Sequence, residues 1–339
     1  MGNALCGARR PTSSLHEVAP DGDVLGEHDP QQLTEDLQLL LPIGAGAFGV
    51  VYQGVYQGAY VAVKLLVTGA GADKGSVREA LVSPQLRHPN VVHTFVARGA
   101  ALTDEFLAGA WGSTACPGGP PFRAMQEQPL PCFTSEDGLG DPRPARNAQE
   151  GWAEALARAG ATPGKTLVLL VQEYCERGTL SHAVKQGRFR AAAGPDHPDW
   201  PQQDRVARRM LLRTAAEICR GMVHLHRANV IHGDLKPANV LLAKSAADRR
   251  GFTVKIADFG MTHLLQEDGG RCDSATWGTL AYASPESMNG EHTKASDGQE
   301  RAAKLIYIRQ NYGQGKRKGA LFDEEVMLTL VEEEAEAEE

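Results

Sequence analysis

Residues 230–242 read VIHGDLKPANVLL, an apolar run broken by His232, Asp234, Lys236 and Asn239. The apolar ends have the composition of short buried strands, and Pro237 removes a backbone donor and forces the middle out of helix. Four polar groups are therefore gathered in a turn. Downstream, VKIADFG (254–260) ends a second apolar run in Asp258, Phe259 and Gly260. Asp234, Asn239 and Asp258 offer two carboxylates and one amide at the mouths of short strands. Magnesium favours such a set, because it takes a few protein oxygens together with substrate phosphates. Each of these residues alone reads better as a polar turn residue, but all of them in this order point to a site.

The upstream stretch 43–51, IGAGAFGVV, carries Gly44, Gly46, Gly49 and Val51 between two strand patterns. Glycines allow backbone N–H groups to approach a phosphate chain closely, although a hairpin turn uses glycine as well. A strand, not a helix, follows the loop, which argues against a dinucleotide fold. VAVK (61–64) then sets Lys64 on a strand, either as a solvated edge charge or within reach of a nucleotide's phosphates. Glu79 also has two readings, partner of Lys64 or the far end of a capping box begun by Ser76.

These segments resemble a eukaryotic protein kinase: glycine loop, VAVK lysine, HGDLKPAN (232–239), DFG, and Ser284–Glu286 in the place of A-P-E, in the family's order. The resemblance covers about residues 39–297. It implies an α+β, two-lobe fold, with a small antiparallel β lobe bearing one helix (37–172) and a larger helical lobe from about 173. It also implies ATP and magnesium as cofactors and protein substrates as partners. Asp234 would orient the substrate hydroxyl and Lys236 would neutralise the transferred phosphate. Asn239 and Asp258 would hold the metal. Ile43 belongs with the glycine loop at the nucleotide. Val51, Ala62 and Leu241 would enclose adenine, Glu173 to Cys175 would form the hinge, and Gln172 would guard the back pocket. Glu79 lies where the family has the partner of Lys64. Lys236 and GTLAYASPE are similar to the serine/threonine class, and IGAGAFGVVYQG with HRANVIHGDLKPANVLL to its tyrosine-kinase-like group. A catalytically inactive nucleotide-binding module is the alternative function.

Two departures stand out. The arginine that usually precedes the catalytic Asp is Gly233, which removes a cation for a phosphorylated activation loop at Ser274, Thr276 or Thr279. After Asp297 the residues cease to match, so the larger lobe is expected to be incomplete, through truncation or mis-splicing with an open core. A substitute helix through Leu305, Ile306 and Ile308 is the second account.

The remaining chain is read as a flexible leader (1–36), an exposed, mostly disordered insertion (100–165) with a short helix near EGWAEALARA, a shorter insertion (189–203), and a divergent tail (298–339). An amphipathic helix is expected with apolar positions 206, 210, 211, 215, 218, 222 and 225. With 339 residues, 42% hydrophobic, the chain can bury a sizeable core. A net charge of -7 disfavours nucleic acid as a partner. The six cysteines form no C-x-x-C pair, which fits a reducing, cytoplasmic setting. No apolar run approaches the roughly 18 residues of a membrane span. Gly2 and Cys6 in MGNALCGARR offer acylation sites for peripheral membrane contact.

Overall fold

Five strands are built from the apolar, β-branched-rich runs before residue 174. They are β1 (Leu37–Gly46), β2 (Gly49–Tyr56), β3 (Ala59–Thr68), β4 (Thr94–Ala101) and β5 (Thr166–Glu173), and they form one antiparallel sheet in the order β1-β2-β3-β5-β4. The computed structural model describes residues 33–46, 49–69, 74–111, 148–192, 194, 196–265, 270–273, 278–279 and 282–297. A tight turn at Gln57-Gly58 joins β2 to β3.

The pleat of β3 separates two environments, since successive side chains point to opposite faces. Val61, Val63 and Leu65 face one core together with Leu167, Leu169 and Val171 of β5. Leu66 faces the other side, where it packs with Val168, Leu170 and Ala80. Ala80 lies on α1 (Lys74–Val82), which is followed by a 3₁₀ turn at Ser83–Gln85 that contains Pro84. Because α1 begins before Ser76, that residue lies within the helix and cannot cap it, which removes the capping-box reading of Glu79.

The opposite face of the sheet corrects the expectation for 100–165. Ala100 and Ala101 complete β4, and α2 (Asp104–Trp111) and α3 (Ala148–Arg158) pack on the sheet. Phe106, Leu107, Trp152 and Leu156 are buried in the same core as Leu37, Leu39 and Tyr52, and Trp152 Nε1 donates to the Leu37 carbonyl at 3.4 Å. Burying side chains of this size contributes about 1.5–3 kcal/mol each, enough to order both ends of the segment. Residues 112–147 lie outside the described residues.

Below the sheet, α4 (Leu180–Lys185) leads to α5 (Trp200–Arg227), whose Leu211, Ala215, Ile218, Met222 and Leu225 enter a second core. Two expectations change here. Trp200 to Gln203 form the first turn of α5, so the 189–203 insertion is shorter, and Phe189 is buried. Val206 is 52% exposed, outside the buried stripe. Against α5 lie β7 (Val240–Lys244) and β8 (Phe252–Ile256), an antiparallel pair. The predicted apolar ends of the opening stretch are β6 (Val230–Ile231) and β7, and β6 pairs with β9 (His263–Leu264). A further pair joins β10 (Arg271–Asp273) to β11 (Glu291–Thr293), and two short helices, α6 (Pro285–Met288) and α7 (Lys294–Asp297), close the described region. No helix among the described residues is long and apolar enough to cross a membrane. The leader expected over 1–36 ends earlier: Leu33 is buried in the same core as Leu37, and the Asp36 carboxylate accepts from Arg98 at 2.6 and 2.7 Å. Residues 1–32, the tail, and with it the expected incompleteness after Asp297, lie outside the described residues.

Candidate active site

The fold brings β3, α1 and the end of β8 together around Lys64. Its Nζ donates to both oxygens of Glu79 at 2.8 Å and to Asp258 Oδ1 at 2.9 Å. Lys64 and Glu79 are buried. Burial disfavours the Lys64 cation, but the carboxylates of Glu79 and Asp258 outweigh it and raise its pKa. Burial raises the pKa of Glu79, and Lys64 offsets this only in part. For Asp258 the balance reverses: burial opposes ionisation, but Lys64 overcomes it and lowers the pKa, with His232 and Lys236 adding to the effect. Asp258 is thus held as a carboxylate, at a φ of +69 that few residues other than glycine adopt.

The turn at 232–239 forms one hydrogen-bonded unit. Asp234 Oδ2 accepts from Lys236 Nζ at 2.5 Å and from Asn239 Nδ2 at 3.1 Å, and Asp234 Oδ1 accepts from the Thr279 N–H at 2.8 Å. Lys236 also donates to Thr279 Oγ1 at 2.7 Å. Because the Asn239 amide nitrogen is turned to Asp234, its oxygen is the atom left to meet a cation. Buried His232 is structural: its Nε2 lies 3.1 Å from the Ala257 carbonyl, and its Nδ1 accepts from the Asp234 N–H at 3.3 Å. The imidazole therefore ties the turn carrying Asp234 to the strand end carrying Asp258.

Asp297 fixes this turn from below. Its carboxylate accepts from the N–H groups of His232 at 2.6 Å and Gly233 at 2.8 Å. The short α7 thus supplies the anchor, whatever follows it. Gly233 has φ +76, and a Cβ there would lie 2.4 Å from the Met261 carbonyl oxygen. Substituting Gly233→Arg is therefore expected to destabilise the fold by roughly 1–3 kcal/mol, read as a lower urea midpoint, and not simply to restore a phosphate-binding cation.

The other expected residues surround this centre. Ile43, Gly44 and Gly46 lie on β1, and Gly44 and Gly46 pair with Val51 and Gly49 across the β1–β2 turn, whose tip is outside the described residues. Val51 pairs with Lys64, and Ala62 lies between Gln53 and Gln172. Leu241 packs in a cluster with Val92, Cys175, Ala243 and Ala257, which joins β7 to the segment after β5. Burial pushes the Cys175 thiol up to about 12, so it is a neutral apolar group. The Glu173 carboxylate pairs with Lys255 at 2.8 Å and accepts from the His93 N–H at 3.3 Å, and its main-chain N–H donates to the His93 carbonyl at 2.8 Å. Gln172 donates to Thr94 Oγ1 at 3.1 Å.

The donor set fits magnesium: an ionised carboxylate on Asp258 and an amide oxygen on Asn239, both hard oxygen ligands and few in number. No group of three or more His, Cys, Asp or Glu side chains among the described residues could hold a metal unaided.

Two features escaped the sequence. Thr279, by sequence a phosphorylation candidate, bridges to Asp234 and Lys236; Ser274 and Thr276 lie outside the described residues. His263 and His292 are buried (2% and 1% exposed) and stack with ring centres 4.2 Å apart, across β9 and β11. Burial first, then His292 and Arg78, push the His263 pKa down to about 4, against the opposing pull of Asp297. An unfolded histidine titrates near 6.5, so the folded state here favours the neutral ring. The resulting stability is complete above about pH 6.5 and is lost as pH falls toward 4. Between pH 7.5 and 5.5 the folding equilibrium is expected to fall about tenfold from this residue, roughly 1.4 kcal/mol. Urea unfolding of the protein and of His263→Gln at both pH values checks it, since the variant should lose less.

A two-lobed arrangement of an antiparallel sheet with one helix, a helical lower lobe, and a Lys–Glu–Asp cluster between them is the architecture of the two-lobe protein kinase fold. The comparisons agree: residues 155–298 match the family model described as protein tyrosine and serine/threonine kinase. The chain is 27% identical over 272 residues to serine/threonine-protein kinase mos of Xenopus laevis, covering 77% of this chain and 54% of that protein. It is 27% identical over 275 residues to U-box domain-containing protein 33 of Arabidopsis thaliana, covering 79% of this chain and 22% of that one. The chain thus spans only about a fifth to a half of the length of these relatives.

Proposed function

We propose that the chain transfers the γ-phosphate of ATP to Ser or Thr hydroxyls of protein substrates, with magnesium. The observation that carries this reading is Lys64 held between Glu79 and Asp258, the arrangement that positions a cation for a nucleotide's phosphates. In this reading the main chain of Glu173 to Cys175, with Val51, Ala62 and Leu241, receives the adenine. Asn239 and Asp258 hold the metal, which would neutralise charge on the phosphates. Asp234 orients the acceptor hydroxyl and takes its proton, and Lys236 steadies the transferred group.

Serine and threonine are favoured over tyrosine by the closeness of the activation segment to Asp234. A Cβ on Gly278 would lie 2.6 Å from Asp234 Oδ1, so the approach is narrow and suits a short acceptor. Peptides differing only in Ser, Thr or Tyr at one position test this, and equal or faster transfer to Tyr would contradict it. The reading extends to the tyrosine-kinase-like group, on the glycine-loop and catalytic-loop residues quoted above. It extends also to activity that does not require activation-loop phosphate, because Gly233 provides no cation for it. Phosphatase treatment should then change the rate by less than about twofold, whereas a nearly complete loss would refute it. In the cell the chain is cytoplasmic and held at a membrane by acyl groups on Gly2 and Cys6; the mass of the native N-terminal peptide tests that, an unmodified Gly2 being the contrary result.

A further inference from the structure

An open cleft of about 470 Å³ lies between the segment after α4 and the first half of α5, away from the site described above. Its floor is apolar, with Ala207, Met210 and the exposed Val206, and its rim carries Arg188 and Arg190. Arg209, one helical turn from Val206, adds a third exposed cation. The guanidinium groups of Arg188 and Arg209 have no side-chain partner among the described residues. Asp199 is the one carboxylate on the rim among the described residues. Such a surface fits a segment that combines apolar residues with several carboxylates.

The chain contains one such segment. Residues 321–339 read LFDEEVMLTLVEEEAEAEE, in which Val326, Met327, Leu330 and Val331 recur at the spacing of one helical face and run directly into glutamates. The stretch 298–320 that follows Asp297 reaches roughly 75 Å when extended, ample to bring that segment to any face of a domain this size. We propose that residues 321–339 dock in the α4–α5 cleft, their apolar residues on Val206 and Met210 and the glutamates at 332–334 facing Arg188 and Arg209. The pairing of an apolar floor with a cationic rim on one side, and an apolar run with an acidic end on the other, is what carries this; it is independent of whether phosphate is transferred.

The test is site-directed photocrosslinking in the full-length chain, with p-benzoylphenylalanine in place of Leu328 and the attachment points mapped by mass spectrometry. Crosslinks concentrated within 188–210 of the same molecule are expected. They should fall at least threefold in Arg188→Glu/Arg209→Glu and recover when Glu332, Glu333 and Glu334 are changed to Lys in that variant. Both arginines are exposed, so the double variant should keep its melting temperature; Val206→Asp, changing the floor alone, should lower the same crosslinks. Crosslinks to the basic stretch 315–319, to a second copy of the chain, or scattered over the surface would overturn the proposal. So would crosslinks within 188–210 that ignore the charge reversals.

Discussion

Replacing Asp234 by Asn is expected to lower phosphate transfer from ATP by about 10²–10⁴-fold, the range associated with a positioned acid or base. The substitution keeps an oxygen for the Thr279 N–H but puts an amide where Lys236 and Asn239 now donate to a carboxylate. Proton acceptance is lost and the local hydrogen bonds weaken, while the apolar cores are untouched. The melting temperature should therefore fall by only a few degrees, and ATP should still raise it, because Lys64, Glu79 and Asp258 are unchanged. Single-turnover transfer alongside thermal unfolding separates the two effects. Retained transfer would remove Asp234 from the chemistry.

The second large effect is expected at Asp297, which is 4% exposed and accepts from the N–H groups of His232 and Gly233. Its third contact, His226 Nε2, lies 3.1 Å away. Truncation to Ala orphans two buried backbone donors, each at about 1–3 kcal/mol, so a loss of roughly 2–6 kcal/mol is expected from urea unfolding. Transfer should fall as well, because these bonds set the backbone from which Asp234 projects. Asp297→Asn, which keeps one acceptor oxygen, should fall between the two. Unchanged stability in Asp297→Ala would mean that the catalytic turn is held by other contacts.

What could be read in advance divides along physical lines. Strands β3 and β5 announce themselves as continuous apolar runs because both of their faces are buried, and the helix α5 because a single face is buried and the helical period shows it. The chemical residues were legible because they interrupt apolar runs where no packing reason exists, as Asp234, Lys236 and Asn239 do. The Lys64–Glu79 contact was open from the residues alone, since Ser76 offered a competing cap; the family spacing favoured it, and the start of α1 ahead of Ser76 closes the other reading.

Tertiary context hid the rest. Trp152 and Phe106 belong to one core but are separated in sequence by a stretch rich in Gly and Pro, so their helices looked like parts of an exposed insertion. His263 and His292 meet only because β10–β11 folds back toward β9, and neither residue sits in a periodic pattern. Val206 fits the helical stripe by spacing, yet the stripe turns outward at that end of α5, and that departure creates the cleft. The glycine at 233 reads in sequence as a missing arginine, while its backbone conformation and the nearness of Met261 reveal a steric requirement of its own.

The most direct test of the account is magnesium-dependent transfer of the ATP γ-phosphate to a basic protein by the purified chain, run beside Asp234→Asn. The account predicts transfer by the chain, its loss in the variant, and an ATP-induced rise in melting temperature for both. A rise in melting temperature with no transfer by either protein would contradict it and favour a nucleotide-binding module without catalysis.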